Sequence, residues 1–264
     1  MQIVLNEKYC AERSVLALGM FDGVHIGHRV LLERAAALAR RENVPLVVCT
    51  FQQHPLQVIA PEKCPPMLST FEERNQLMEA MGVDVLCAMP FTPDVMTMLP
   101  EEYVGHLVRR FHPLHIVCGY NHTFGRKGQG TPALLEALGA ALGFQTSVVP
   151  KIMLNDHDVS SSVIREQIAR GDVENARRFL GRPYELAAEL TQRDGSLCCL
   201  QLIAEGKRTV PEGEYRCFLC DADHAYPVLA HVEEDGSAAC MLPRNASVSG
   251  EMCLQFWSSA FLPF

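Results

Sequence analysis

Residues 14–28, SVLALGMFDGVHIGH, place an apolar run directly before a glycine-rich turn and the start of a helix. The run at 14–19 is almost continuously apolar, as expected for a strand that is buried on both faces. Beyond the turn, apolar residues recur at the spacing of one helix face, at Leu31, Ala35, Leu38 and Ala39. The stretch therefore predicts a strand, a tight turn and a helix in direct succession.

The same succession repeats up to about residue 150. Further apolar runs bounded by turn residues lie at 46–51, 83–89, 115–119 and 145–150. Helical spacing is found at 28–41, 71–81, 101–111 and 132–142. Apolar strands that alternate with helices favour a parallel sheet covered on both sides. We therefore predict an α/β domain with an open, doubly wound parallel sheet.

The predicted secondary structure changes near residue 184. Short strand-like runs follow, separated by the turn signals RDGS, PEGE and EDGS, and no helical pattern accompanies them. Residues 185–264 carry twelve Asp and Glu against five Lys and Arg, so they hold most of the acidic excess of the chain. We predict two domains, an α/β domain at 1–184 and a small β-barrel-like domain at 185–264.

The composition limits the kinds of molecule that the protein is expected to bind. The chain has 264 residues, with 23 Lys and Arg against 31 Asp and Glu and a formal net charge of −8. Such a balance argues against a nucleic-acid or anionic-membrane partner. No apolar run approaches the ~18 residues of a membrane span, and the first residues do not resemble a secretion signal. We expect a cytoplasmic protein that binds no nucleic acid and no membrane.

The eleven cysteines do not indicate a disulfide framework, because their number is odd and no secretion signal precedes them. Several lie inside apolar runs, where a free thiol packs as a small hydrophobic group. Cys217 and Cys220 form the CxxC spacing, but EYRCFLC reads as a strand, and residues three apart on a strand point to opposite faces. Reduced thiols are therefore favoured over a metal or redox site.

The turn at 19–28, GMFDGVHIGH, carries the strongest chemical signal. Gly19 and Gly23 permit a tight turn and a close approach of the backbone to a ligand. Gly27 lies at the start of the helix, where unpaired N–H groups and the helix dipole favour phosphate. His25 and His28 are three residues apart, so both imidazoles can point towards that phosphate. They can donate to phosphate oxygens and, when protonated, stabilise a departing pyrophosphate.

Three further segments offer candidate residues. His54 and Pro55 follow a strand end, the edge at which open α/β sheets bind ligands, although a structural histidine is an alternative. In GYNHTFGRKGQG, Asn121 can bond a base, ribose or flavin edge, whereas Phe124 can stack on a ligand or belong to the core. Ser161 and Ser162 lie in an SSS run typical of a helix N-cap. Arg165 opposes the dipole of that helix, which favours an anion as its partner.

These segments together resemble a known family. The string GMFDGVHIGH is similar to the HxGH signature of nucleotidyltransferases, and in its longer form to the GxFDGVHxGH of bacterial bifunctional riboflavin kinase/FMN adenylyltransferases, the FAD synthetases. TFQQHP at 50–55 resembles the family's TFxPHP, with Gln53 in place of the usual proline. GYNHTFG at 119–125 resembles its GxxFxFG loop, and VSSSVIR at 159–165 its SSTxIR helix. The resemblance covers about residues 14–184.

The resemblance implies that the chain transfers AMP from ATP to FMN, giving FAD and pyrophosphate. It implies catalytic roles for His25, His28 and Arg165. It implies ATP binding by Gly19, Phe21, Asp22, Gly23, Gly27, Ser161 and Ser162. It implies flavin binding by His54, Pro55, Asn121 and Phe124. Mg²⁺ is expected to screen the phosphates, but no acidic cluster marks its ligands; Asp22, Asp156 and Asp158 are the candidates.

The second domain departs from the family pattern. The full-length family carries a riboflavin kinase barrel with a loop like GRxxGFPTAN, and residues 185–264 contain no such string. PEGEYRCFLC and SGEMCLQFWSSAF still resemble strands of that barrel. We expect a shortened barrel without kinase activity. Two alternatives stay open, namely an HxGH enzyme with another phosphorylated acceptor and a flavin-binding or regulatory protein without turnover.

Overall fold

A computed structural model describes residues 1–5, 9–243, 246, 248 and 250–260. It divides the chain into two compact units. The first comprises Met1–Pro65 and Phe71–Met153, and the second comprises Pro66–Thr70 and Leu154–Phe264. The domain boundary expected at residue 184 stays a prediction, and the helices at 161–180 belong to the second compact unit.

The first unit is built on a parallel sheet. Its strands are β1 (Gln2–Val4), β2 (Ser14–Leu18), β3 (Leu46–Phe51), β4 (Val85–Met89), β5 (Pro113–Gly119) and β6 (Gln145–Val149). Its helices are α1 (Ile26–Glu42), α2 (Pro55–Ile59), α3 (Phe71–Ala80), α4 (Pro93–Thr97), α5 (Pro100–Phe111) and α6 (Pro132–Leu142). The strand order is β1-β4-β3-β2-β5-β6. All neighbouring strands run parallel, so the predicted doubly wound α/β fold is confirmed.

The apolar patterns explain this sheet. Every residue of β2 and of β4 is buried, which a strand achieves only when helices cover both faces of the sheet. Two core clusters result, one containing the inner face of α1 and the other the inner face of α5. The strand order reverses between β2 and β5, and ligands of open α/β sheets bind outside the carboxyl ends of strands at such a reversal.

The second unit contains a closed antiparallel barrel. Its strands are β9 (Tyr184–Asp194), β10 (Leu197–Ile203), β11 (Gly213–Cys220), β12 (Ala225–Val232), β13 (Ser237–Met241) and β14 (Met252–Ser259). Buried and outward residues alternate along β12, as they do in a barrel filled by side chains. Helices α7 (Ser161–Ala169) and α8 (Val173–Leu180) precede the barrel, and β7 (Met153–Leu154) pairs with β8 (His157–Asp158). The predicted barrel-like module is confirmed.

Two expectations about the cysteines and about membrane-spanning helices can be compared with the structure. All eleven cysteines are free, and within the CxxC spacing Cys217 is buried inside the barrel whereas Cys220 is partly exposed on the opposite face. Burial raises the pKa of both thiols, so both stay protonated. In the part of the chain that the structure describes, no helix combines the length and the apolar character needed to cross a membrane.

Candidate active site

The turn between β2 and α1 is held in an unusual backbone conformation. Phe21, Gly23 and Val24 have φ angles of 56°, 72° and 38°, all in the left-handed region. That region costs glycine little but is strained for a β-branched residue such as Val24. Phe21 and Val24 are buried, and this packing holds the turn in place. Strain of this kind concentrates at functional sites, where surrounding structure maintains it.

His25 and His28 lie where this turn becomes α1. His25 is the N-cap residue, and its Nδ1 accepts a hydrogen bond from the backbone N–H of His28 at 3.3 Å. Because Nδ1 is the acceptor, the neutral ring of His25 carries its proton on Nε2. The two rings stack with centroids 3.7 Å apart and planes 16° from parallel. The two imidazoles therefore project together, as the spacing predicts.

Glycine at position 27 allows this arrangement. A Cβ atom there would lie 3.2 Å from Cε1 and Nδ1 of His25, closer than side chains normally pack. Gly19 plays a related part, because a Cβ on it would lie 3.1 Å from the Phe21 ring. That ring is fully buried and packs against His28 at 5.3 Å between centroids. Phe21 thus supports His28 from the interior, and its contact with ATP stays a prediction.

The electrostatics of His28 favour its neutral form. Burial lowers the pKa of His28 well below its ordinary value, and His25 and Arg74 lower it further through charge repulsion. Its Nδ1 is buried and has no hydrogen-bond partner among the described residues.

A hollow of about 360 Å³ opens at the carboxyl ends of β2, β3 and β5, beside the reversal in strand order. His28 lines it directly. The predicted flavin-binding residues His54, Pro55 and Asn121 line it as well. The structure therefore brings one member of the histidine pair together with three residues from two separate loops. Gly19, a predicted ATP-binding residue, also lines the hollow. The other lining residues are not among the predicted site residues, and they include Leu18, Met20, Leu31, Thr50, Tyr103, His122 and Thr123.

His54 and Pro55 begin α2. His54 is the N-cap residue, and its Nδ1 accepts from the N–H of Leu56 at 3.1 Å. The neutral ring therefore carries its proton on Nε2, as in His25. Pro55 occupies the first helical position, where its missing N–H costs no hydrogen bond. Both residues lie on the wall of the hollow, and their contact with flavin stays a prediction.

In the loop after β5, some residues lie at the surface and others in the core. Asn121 is exposed and lines the hollow. Phe124 is buried in the core and packs against Tyr103, with ring centroids 5.8 Å apart. Of the two roles open for Phe124, the structure shows the core role, while its contact with flavin stays a prediction. His122 stacks on Phe124, and burial lowers its pKa to about 4.

The predicted phosphate-binding serines lie at the start of α7 in the second compact unit. Ser160 is the N-cap, and its side chain accepts from the N–H of Val163 at 3.3 Å. Ser161 and Ser162 form the first turn of the helix, and Arg165 follows, half-buried. The capping role of the SSS run is therefore shown, and the phosphate contacts of Ser161, Ser162 and Arg165 stay predictions.

Possible metal ligands are few. Across residues 1–5, 9–243 and the described positions beyond them, no group of three or more His, Cys, Asp or Glu side chains is placed to hold a metal ion. Asp22 is buried within the turn and interacts electrostatically with Arg74. The donor set fits a metal ion that enters on the phosphates of a nucleotide better than one held by the protein alone.

Comparison with known proteins identifies the family. The sequence profile described as FAD synthetase matches residues 7–163. The chain belongs to the FAD synthetase family. The match with the FAD synthetases includes the histidine pair, both loops of the hollow, Ser161 and Ser162, and it ends just before Arg165. The stacked imidazoles therefore lie within the family's own sequence pattern.

Two curated relatives are bifunctional riboflavin kinase/FMN adenylyltransferases. The protein from Listeria monocytogenes is 31% identical over 182 residues, which are 69% of this chain and 58% of that protein. The protein from Bacillus subtilis is 34% identical over 174 residues, 65% of this chain and 54% of that protein. The chain thus matches a little over half the length of these FAD synthetases.

A solved structure shows the same fold along the whole chain. It is described as a macrolide-efflux protein from Streptococcus pneumoniae and superimposes with a TM-score of 0.86 at 24% sequence identity. The superposition covers 100% of this chain and 92% of that one. At 24% identity, this likeness shows the fold alone. It supports the α/β and barrel folds described for this FAD synthetase family member.

Proposed function

We propose that the chain is an FMN adenylyltransferase, which makes FAD and pyrophosphate from FMN and MgATP. The observation that carries this proposal is the stacked pair His25 and His28 at the N-terminus of α1, with His28 on the wall of the hollow. Unpaired N–H groups and the helix dipole attract phosphate there. The FAD synthetase profile and the bifunctional relatives support FMN as the acceptor.

The reaction exchanges one phosphorus–oxygen bond for another. A phosphate oxygen of FMN attacks the α-phosphorus of ATP, the bond from that phosphorus to the bridging oxygen breaks, and pyrophosphate leaves with the electron pair. This transfer requires no covalent protein nucleophile, so positioning and charge stabilisation supply the rate. Nε2–H of His25 is directed to a phosphate oxygen, and His28 becomes protonated as negative charge approaches. The resemblance to the family assigns Ser161, Ser162 and Arg165 to the β- and γ-phosphates.

The two ligands meet across the hollow. Gly19, Gly23 and Gly27 let the backbone approach the nucleotide, and Asp22 stays inside the turn. His54, Pro55 and Asn121 form the flavin side, because they lie on the loops after β3 and β5 that line the hollow. Mg²⁺ arrives with ATP as part of the substrate and neutralises the phosphate charge. We propose a cytoplasmic location.

We further propose that the chain does not phosphorylate riboflavin. The residues of the second domain lack a string like GRxxGFPTAN, although their six strands close into a barrel. The curated relatives carry both activities in chains of which this one matches 58% and 54%. The barrel therefore serves as a structural module in this proposal.

The decisive experiment incubates the pure protein with MgATP and, separately, riboflavin, FMN, nicotinamide mononucleotide, phosphopantetheine or glycerol phosphate. Chromatography identifies the products, and pyrophosphate is measured in parallel. We expect FAD and an equal amount of pyrophosphate from FMN, and no FMN from riboflavin. Turnover of another acceptor without FAD would overturn the choice of substrate. Tight FMN binding without pyrophosphate release would favour a flavin-binding protein without turnover.

A further inference from the structure

A buried arginine joins two of the turns that line the hollow, the one that leads to His28 and the one that leads to His54. Arg74 lies on α3 and is 3% exposed. Its Nη1 donates to the carbonyl of Met20 at 2.7 Å, and its Nη2 donates to the carbonyl of Phe51 at 2.9 Å. Nη2 also lies 3.4 Å from the carbonyl of Gln52. One guanidinium group thus binds the chain at the ends of β2 and β3.

The acceptors of Arg74 lie in the segments that place the catalytic candidates. Met20 begins the turn that leads to His25 and His28, and Phe51 and Gln52 lead to His54. These carbonyls belong to partly buried residues at or beyond the ends of their strands, where a carbonyl that is shielded from water requires a donor from outside the sheet. The side chain of Thr50 adds only a 3.4 Å contact to Met20. Arg74 therefore supplies the short hydrogen bonds that join these segments.

The interior around Arg74 is arranged to keep its charge. Burial lowers the pKa of Arg74 to about 10, and attraction from the buried Asp22 opposes that shift. The guanidinium carbon also lies 5.2 Å from the centre of the Phe71 ring, one helical turn earlier. Nε of Arg74 is buried without a hydrogen-bond partner among the described residues, so the hydrogen bonds of Nη1 and Nη2 to the two turns are the ones that compensate the buried charge. The turns and the guanidinium group therefore hold one another in a single arrangement.

The geometry of the guanidinium group explains why this contact matters for function. Its N–H donors lie in one rigid plane, so two carbonyls bound to it have a fixed separation. We propose that Arg74 is a positioning residue, which sets the spacing between the turn that carries His28 and the turn that carries His54. The nucleotide and flavin sides of the hollow are thereby held at reacting distance. The kinetic part of this inference rests on the proposed FMN adenylyltransferase activity.

Three variants test the inference. Arg74→Met removes the charge and all donors, and Arg74→Lys keeps the charge but loses the planar fork. Arg110→Met is the matched control, because Arg110 is also buried, donates to the carbonyl of Tyr9 at 2.9 Å and lies over the Phe111 ring at 4.8 Å, outside the lining of the hollow. Thermal unfolding of all three establishes the temperature at which each is folded, and kcat and KM for FMN and MgATP are measured below it.

We expect Arg74→Met to lower kcat by about 100-fold, the effect of a displacement of about 1 Å at reacting groups. Arg74→Lys should lose about tenfold, because a single ammonium group does not reproduce the spacing of the fork. Arg110→Met should destabilise the fold to a similar degree and keep kcat within about twofold of the parent. Equal loss of kcat in Arg110→Met, or unchanged kcat in Arg74→Met, would overturn the inference.

A measurement without turnover separates this inference from the proposed function. Ring signals of His28 and His54 in two-dimensional NMR spectra report the environment of each imidazole. Arg74→Met should shift both sets of signals, because both turns lose their shared donor, and should raise the pKa of His28, because a nearby positive charge is removed. Arg110→Met should leave both unchanged. If the parent protein forms no FAD, the spectra still decide the positioning role, and wild-type signals in folded Arg74→Met would exclude it.

Discussion

The rings of His25 and His28 stack at 3.7 Å between centroids, with His25 capping the helix on which His28 stands. Two imidazoles at this distance do not both carry charge in a partly buried site, because each cation raises the energy of the other. His28 is the ring whose pKa is lowered, by burial first and by His25 and Arg74 after it. In the proposed function, the pair therefore carries at most one proton when phosphate is bound.

Replacing His28 by Asn should leave the protein folded and lower FAD formation by about 10²–10³-fold, the usual cost of losing one donor that stabilises a developing charge. The measurement is the rate of FAD and pyrophosphate production at saturating FMN and MgATP. His231→Asn is the control, since His231 is exposed on the barrel and pairs with Glu233. Near-normal turnover in His28→Asn would remove this residue from the catalytic site.

Gly27→Ala should lower activity with little net change in stability, because the gain in helix propensity is offset by disturbance of the His25 cap. Alanine is favoured over glycine inside a helix by about 1 kcal/mol. Its Cβ would meet the His25 ring at 3.2 Å and displace it, so we expect kcat to fall about tenfold or more. Gly105→Ala, in α5, adds the same group where it meets only the flexible end of Arg109. A kcat for Gly27→Ala that matches the control would show that the ring position tolerates the added methyl group.

Acid stability should depend on His122. Burial lowers its pKa from 6.5 to about 4, so below pH 6.5 the unfolded chain binds a proton that the folded chain excludes. At about 1.4 kcal/mol per pKa unit, this shift limits the loss of folding free energy between pH 6.5 and 4 to at most roughly 3 kcal/mol. Because the ring is partly exposed in the lining of the hollow, solvent screening makes the loss smaller than this limit, and His28 adds a loss of the same sign. Above pH 6.5, His122 is neutral in both the folded and the unfolded chain, so it causes no loss of stability there.

His122→Phe, which restores the aromatic residue of the GxxFxFG motif, should reduce this acid loss while leaving stability near pH 8 similar. Urea unfolding at a series of pH values provides the comparison. His157→Phe, at an exposed position of β8, is the control for the loss of one histidine. The interpretation of His122 fails if parent and variant show the same slope of stability with pH.

Arg165→Met should raise the KM for MgATP by about tenfold, the effect of losing roughly 1.4 kcal/mol of binding from one charge-assisted contact to phosphate. The KM for FMN should change little. Arg170→Met, at the exposed end of the same helix and paired with Glu166, is the matched control. Equal KM values for MgATP in the two variants would assign Arg165 to the structure of α7 alone.

Much of the first unit follows from the sequence, because its strands are apolar throughout. The run predicted at 46–51 coincides with β3, and the helical spacing at 132–142 coincides with α6. The HxGH spacing also predicts correctly that the two imidazoles project together. Apolar patterns of this length predict strands and helices without knowledge of the tertiary contacts.

Other features depend on tertiary contacts. Strand β1 has three residues, too few for a periodic pattern, and exists because it pairs with β4. Arg74 lies in a helix that is rich in charged residues, so sequence alone predicts an exposed side chain, whereas the structure buries it beneath two turns. The left-handed φ of Phe21 places its ring in the core, which the motif alone does not indicate, and its contact with ATP stays a prediction.

The place of β2 in the sheet has a consequence for synthesis of the chain. β2 pairs with β3 on one side and with β5 on the other, and β5 begins at Pro113. A ribosome adds about 5–20 residues per second, so one edge of β2 stays open for on the order of ten seconds after His28 is made. An open apolar edge is a template for pairing with another nascent chain. A chaperone that shields this edge should therefore increase the yield of folded protein more than it increases its final stability.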